Sequence, residues 1–426
     1  MNAALRAAYV AAGTLAEGAS AFAREGRSKD MASLAGRRGV LDRFERWGAT
    51  QRDPARPLVW LHAPSVGEGL QAQPVIALLR TQRPDVQLVY THFSSSAAAL
   101  AARIGADFAD YLPFDTPHAV RAALRAIRPT ALVFSKLDVW PLLVDEAVRQ
   151  GVRVAMIAAT MSEASGRRGL VARALLGDAY AALCSVGAID VADASRLVAL
   201  GVDATRIQVT GDTRYDQVWA RANAADRTSA LLAPLVAPRP TLVAGSTWPS
   251  DERVLADAWR AVCRRVEGAR MIIAPHEPTP AHLASIDAWA RADGLRVARL
   301  DATDAGSADL VVVDRVGALG DLYALADVAY VGGGFHAAGL HSVLEPAAFG
   351  APVLFGPRFT ASRDAGLLIV ATGGLAVGDA ESFGDALVRW LGDPAARTAA
   401  GGRARAMVEA GLGAAQRSLA LVEALL

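Results

Sequence analysis

From Pro57 onward, short apolar runs alternate with stretches whose apolar positions recur at a helical period. "LVWLHA" is followed by helical "QAQPVIALLRTQ", "VQLVYTHF" by "SSAAALAARIGA", "TALVFSK" by "PLLVDEAVRQG", and "VRVAMIAAT" by "VARALLGDAYAAL". Apolar runs of this length, each separated by a helix, predict a parallel sheet covered by helices on both faces, the doubly wound α/β arrangement. Ligands of such sheets bind beyond the carboxyl ends of the strands. A second alternating series starts at "PTLVAGSTWPSDE" and continues through "ARMIIAPHEP", "DLVVVD", "DVAYVGGGF" and "APVLFGP".

Between the two series lies "YDQVWARANAADRTSALLAPLVAPRP", helical and then proline-rich, which puts the boundary near Asp216 to Arg239. The expectation is two Rossmann-like domains facing each other across a cleft, at 57–220 and 236–405. They are flanked by a basic, membrane-proximal segment at 1–56 and a closing helix at 406–426 that packs back on the first domain, as in other folds of this kind.

Composition narrows the classes. At 426 residues, 53% hydrophobic and 20% charged, the chain is globular and too long for one ordinary core. A net charge of +1 argues against a nucleic-acid partner, because such domains carry a strong basic excess. Cys184 and Cys263 are the only cysteines and lack metal-ligand spacing, so neither a disulfide framework nor a zinc site is indicated.

The N-terminal "AALRAAYVAAGTLAEGASAFA" is alanine-rich and contains Arg6 and Glu17, which leaves it short of a membrane span. A weakly amphipathic helix fits, lying on a membrane or packed on the protein. Arg24 to Arg56 is rich in arginine; it reads either as a solvated helical face or as a cluster attracted to anionic lipid.

Candidate chemistry sits at the strand ends. Glu68 places a carboxylate where the strand "LVWLHA" hands over to a helix. In "DVAYVGGGFHAAGLHSVLEP" a strand ends in Gly332, Gly333 and Gly334, a loop carries His336 and His341, and a helix is expected from about Ser342 with Glu345 in its first turn. Glycine amides and a helix N-terminus suit a phosphate, and an ionised Glu345 can accept from both hydroxyls of a ribose. Glu345 as a plain helix-dipole carboxylate is the alternative. Gly245, Ser246 and Thr247 follow one strand, and His276 and Glu277 another, on the same ligand-facing edge; each also reads as a turn or cap.

The phrases "HAPSVGEG", "TGDTRYDQV", "AGSTWPSDE", "IIAPHEP", "AYVGGGF" and "GLHSVLEPAAFGAPVLFGP", in this order, closely resemble the Kdo (3-deoxy-D-manno-octulosonic acid) transferases of lipopolysaccharide synthesis. The resemblance implies a GT-B glycosyltransferase that takes CMP-Kdo, inverts the anomeric centre and uses neither a metal nor another cofactor. It makes Glu68, in the S-x-G-E motif, the general base, with Ser65 and Gly67 beside the acceptor. Lys136 and Arg214 are available as cations for the donor's phosphate or carboxylate, or read as plain surface charges. The implied acceptor is a lipid A precursor at the cytoplasmic face of the bacterial inner membrane, an anionic surface; Arg167 and Arg168 are available to its phosphates, or belong to a solvated loop and helix face.

The chain departs from the common family pattern at three places. It has "SKLDVWP" for "ETELWP", His276 and Glu277 for an arginine-histidine pair, and "GLHS" for "GGHN". Asp138 stands where a family carboxylate would be, one methylene shorter. Two other readings share parts of this pattern: a GT-B enzyme with a UDP-sugar donor, and a non-catalytic nucleotide-binding protein at the membrane.

Overall fold

The computed structural model describes residues 1–23, 28–162 and 165–426, and all their side chains except those of Lys29 and Arg168. Two compact units result, Met1–Gln217 with Leu412–Leu426, and Val218–Gly411. The helix Pro394–Ala410 lies in the second unit, and the last helix, Ala414–Glu423, in the first.

The first unit is built on seven parallel strands: β1 Leu58–His62, β2 Gln87–His92, β3 Phe108–Tyr111, β4 Ala131–Ser135, β5 Arg153–Ala159, β6 Ser185–Ala188 and β7 Ile207–Val209. Their order is β3-β2-β1-β4-β5-β6-β7, so the chain winds outward from β1 in one direction and then in the other. All of β1 is buried, and the pleat sends its side chains alternately into two layers. Leu58 and Trp60 meet Phe44 and Trp47, whereas Val59 and Leu61 meet Val75, Ile76 and Leu79.

Helices α1 (Ala3–Ser20), α2 (Lys29–Gly36) and α3 (Val40–Thr50) belong to this unit, and α4 (Val66–Gln82) follows β1. The Tyr9 hydroxyl donates to Asp115 at 2.8 Å and Thr116 donates to Glu17 at 3.0 Å, so α1 is packed on the protein while Leu15 and Phe22 stay exposed. Several of the arginines that follow have partners within the unit. Arg37 is buried and donates to the carbonyls of Ser33, Phe93 and Leu112. Arg43 grips Asp110, and Arg38, Arg52 and Arg56 also donate to carbonyl oxygens. These guanidiniums satisfy backbone carbonyls and Asp110, while Arg38 and Arg46 stay exposed; Arg24, Arg27 and the Lys29 side chain lie outside the described residues.

The second unit repeats the plan with β8 Thr241–Thr247, β9 Arg270–Pro275, β10 Val297–Arg299, β11 Leu310–Val312, β12 Val328–Val331, β13 Val353–Phe355 and β14 Gly374–Ala376. The order is β10-β11-β9-β8-β12-β13-β14, all parallel, and the winding reverses between β8 and β12. Among the described residues, no helix is long and apolar enough to cross a membrane.

Candidate functional site

In a doubly wound sheet the connections after the two central strands diverge, leaving a crevice at the point where the order reverses. In the first unit that point lies between β1 and β4. Ser65 begins α4 and Glu68 sits in its first turn. The Ser65 hydroxyl donates to the Glu68 carboxylate, Lys136 Nζ lies 3.1 Å from Glu68 Oε1, and the Ser135 hydroxyl donates to the Glu68 carbonyl at 3.1 Å. Lys136 reaches Glu68 from a left-handed backbone conformation (φ 70°) directly after β4. The Glu68 side chain is 15% exposed, held on one side and open to solvent on the other. A β-carbon on Gly67 would meet only the Ser65 hydroxyl, at an ordinary contact of 3.8 Å.

Beside this pair, His62 ends β1 fully buried. The Trp140 indole N–H donates to its Nε2 at 3.3 Å, which makes Nδ1 the protonated nitrogen, donating to the Thr91 carbonyl at 3.1 Å. Asp138 is ion-paired with Arg167 at 2.9 Å, so that arginine is already committed; the Arg168 side chain lies outside the described residues. Arg214 forms a two-pronged pair with Asp212, at 2.9 and 2.6 Å.

In the second unit the residues gather after β8, β9 and β12. Trp248 stacks on His336 at 4.1 Å between ring centroids and on His276 at 4.7 Å, and His276 stacks on His341 at 4.5 Å. The Trp248 indole donates to His341 Nε2 at 3.1 Å. Burial, with His276 and His336 nearby, pulls the His341 pKa below the usual histidine range. Ser246 has a left-handed backbone (φ 53°), and Thr247 donates to Glu252 at 2.7 Å. A β-carbon on Gly245 would meet the Tyr323 hydroxyl at 2.1 Å, so a larger residue would not fit.

The glycine run differs from the phosphate cradle expected of it. Gly332 N–H donates to the Gly245 carbonyl, and the N–H groups of Gly333 and Phe335 donate to the buried Asp251 carboxylate at 2.9 and 3.1 Å. Asp251 also accepts from the Tyr330 hydroxyl and the Trp248 N–H. Those amides are therefore occupied, and the glycines serve close packing: a β-carbon on Gly332 would strike the Ser246 carbonyl at 2.2 Å, and one on Gly334 the Gly356 nitrogen at 2.4 Å. The helix expected from Ser342 begins at Leu344 and has five residues, too few for a substantial dipole. Ser342 and Glu277 are exposed and stand outside the ring stack.

Glu345 is in the first turn of that short helix, 3.8 Å from Arg221. Burial raises its pKa, Arg221 opposes the shift and Asp321 adds to it. His62, Trp140, Arg221, Trp248 and Asp251 were not among the residues expected at the site. Their sequence signals are a histidine and a tryptophan at apolar strand ends, and an acid three residues into a proline-started helix.

Two parallel seven-stranded α/β units, with polar residues gathered at each sheet's reversal point, define an α/β fold of the GT-B kind. A putative UDP-N-acetylglucosamine 2-epimerase from Listeria monocytogenes superposes with a TM-score of 0.61 over 87% of this chain and 96% of its own, at 15% identity. The UDP-GlcNAc 2-epimerase from Neisseria meningitidis gives 0.61 over 86% and 99%, at 13% identity; both likenesses are of fold.

Sequence narrows this to one family. Residues 41–217 match the family described as 3-deoxy-D-manno-octulosonic-acid transferase (kdotransferase). The transferase of that name from Bordetella pertussis is 32% identical over 89% of this chain and 90% of its own length, and that from Chlamydophila psittaci is 29% identical over 72% and 71%. The chain belongs to the 3-deoxy-D-manno-octulosonic acid (Kdo) transferase family and is a glycosyltransferase.

Proposed function

We propose that the chain transfers Kdo from CMP-Kdo to a lipid A precursor, with inversion at the anomeric carbon and without a metal ion. The observation that carries this reading is the Glu68 carboxylate, fixed at the β1/β4 reversal point by Ser65 and Lys136 and still open to solvent. A sugar hydroxyl is a weak nucleophile until its proton is removed as it attacks. In the proposed step the acceptor oxygen bonds to the Kdo anomeric carbon and its proton passes to Glu68. The bond to the CMP phosphate breaks with its electron pair leaving on CMP, and one displacement gives inversion.

The donor's parts are assigned to the second unit. Glu345 accepts from the ribose hydroxyls, in keeping with its place beside Arg221. With the Gly333 and Phe335 amides occupied, imidazole donors replace the glycine loop as partners of the leaving phosphate. His336 accepts the Ala338 N–H on Nδ1, which leaves Nε2 as its donor. Gly245, Ser246, Thr247, His276 and His341 shape this edge. In the first unit, Lys136, with its ammonium partly exposed, is assigned to the Kdo carboxylate.

The acceptor's phosphorylated, acylated character places the reaction at the cytoplasmic face of the inner membrane. Leu15 on α1 and Phe22 just beyond its end, both exposed, are the proposed membrane contacts.

The test is to incubate the protein with freshly made CMP-Kdo or a UDP-sugar, a tetraacyl lipid A precursor and a chelator, and to follow the acceptor mass. Kdo increments from CMP-Kdo alone support the proposal. Transfer only from the UDP-sugar, or loss of transfer with chelator, overturns the donor or the metal-free step.

A further inference from the structure

The opposite edge of the second sheet carries a group of arginines that the transfer reaction does not use. Thr241 and Arg270 open β8 and β9, and Asp327 immediately precedes β12, so their surroundings lie at the amino ends of these strands. The ring stack of Trp248 and the histidines follows the carboxyl ends of the same strands. A cavity of about 390 Å³ opens at the amino edge, lined by Arg227, Arg239, Arg270, Arg397, Thr241 and Asp327 among others. That volume lies within the range of small-molecule pockets.

Its charges are unbalanced. Arg270 is 1% exposed; its Nε donates to the Thr241 hydroxyl at 2.9 Å, and its Nη1 is buried without a hydrogen-bond partner. The carboxylate in the lining, Asp327, already accepts the Thr241 N–H at 2.9 Å and pairs with Arg397 at 3.3 Å. Arg239 spends its donors on four backbone carbonyls and on Asp309. Arg227 is exposed and has no partner among the described residues. Burial, reinforced by Arg239 and Arg227, pulls the Arg270 pKa down to about 10, a mark of a cation short of compensation.

A buried guanidinium with an unused donor is costly unless something accepts from it. We propose that this cavity is an anion-binding site for a soluble phosphate, inorganic or the phosphomonoester of a small metabolite, seated on Arg270 and closed by Arg227. A tetrahedral oxyanion in the cavity supplies the negative charge that Arg270 lacks and the acceptors that Arg227 lacks, and guanidinium forks match its geometry. The site is separate from the one assigned to the donor, and it does not rest on that assignment.

Calorimetric titration with inorganic phosphate, and separately with glycerol 3-phosphate, tests the proposal on the full chain. Wild type and Glu345→Ala should bind alike, because Glu345 belongs to the other edge. Arg227→Ala and Arg270→Gln should each bind at least about tenfold more weakly. Phosphate should also raise the melting temperature of wild type but not of Arg270→Gln, which without phosphate should melt no lower than wild type because an uncompensated buried charge is gone. Absence of binding of both inorganic phosphate and glycerol 3-phosphate at millimolar concentration, or equal binding by both arginine variants and wild type, overturns it. A glycerol 3-phosphate response without one to inorganic phosphate restricts the site to esters; the reverse restricts it to the free ion.

Discussion

Lys136 Nζ lies 3.1 Å from Glu68 Oε1, and the two residues come from the connections after neighbouring strands, β4 and β1. The pair exists because the sheet reverses its winding there, bringing together residues 68 positions apart. An ammonium in this place orients the carboxylate without sealing it from solvent. Lys136→Met should fold normally, since the lysine side chain is partly exposed, and should lower kcat by roughly tenfold through lost orientation. Steady-state kinetics beside a urea melt separates the two effects.

Asp251 joins the turn after β8 to the glycine run after β12 through Trp248 N–H, Gly333 N–H, Phe335 N–H and the Tyr330 hydroxyl. Asp251→Ala leaves these donors buried and unpaired, and should destabilise the protein by about 3 kcal/mol or more. Weaker CMP binding should accompany the loss, read by urea melt and calorimetry.

Gly334 packs so tightly that a β-carbon would lie 2.4 Å from the Gly356 nitrogen. Both partners there are backbone, which cannot swing aside, so Gly334→Ala should cost about 1–3 kcal/mol. Gly67→Ala, whose β-carbon would make only an ordinary 3.8 Å contact with the Ser65 hydroxyl, should leave the melting temperature nearly unchanged. The comparison distinguishes packing glycines from a glycine kept for other reasons.

Asp115 is buried beneath α1, and burial raises its pKa from 3.8 to about 6, against the Leu142 and Leu143 amides and the Tyr9 hydroxyl, which lower it. The folded chain therefore holds this proton more tightly than the unfolded chain. Its contribution to stability is complete below pH 3.8 and is lost as pH rises through about 6, amounting to at most about 3 kcal/mol. Urea melts across pH 4–7 should show this loss, and Asp115→Asn should flatten that part of the profile.

The sequence made the central strands legible because they are buried on both faces and read as unbroken apolar runs, as "LVWLHA" and "ARMIIAPHEP" do. It did not reveal β3, β6, β7, β10 or β14, which have three or four residues each and lie at or near sheet edges. The roles of polar groups were the harder part. A triple glycine after a strand suits a phosphate cradle and tight packing equally well, and only the position of Asp251 in space shows that the Gly333 and Phe335 amides are taken. Likewise the arginine-rich segment gives no hint in sequence that Arg37 is buried among the carbonyls of Ser33, Phe93 and Leu112. Glu68 was recognisable from its motif, but the closeness of Lys136 depends on the sheet's winding.

The central claim is that Glu68 takes the acceptor's proton, and single-turnover transfer by Glu68→Gln tests it most directly. The substitution keeps size and shape while removing the base. With CMP binding unchanged, Kdo transfer should be slower by roughly 10²- to 10⁴-fold. Transfer at the wild-type rate by a Glu68→Gln protein that binds CMP normally would contradict it.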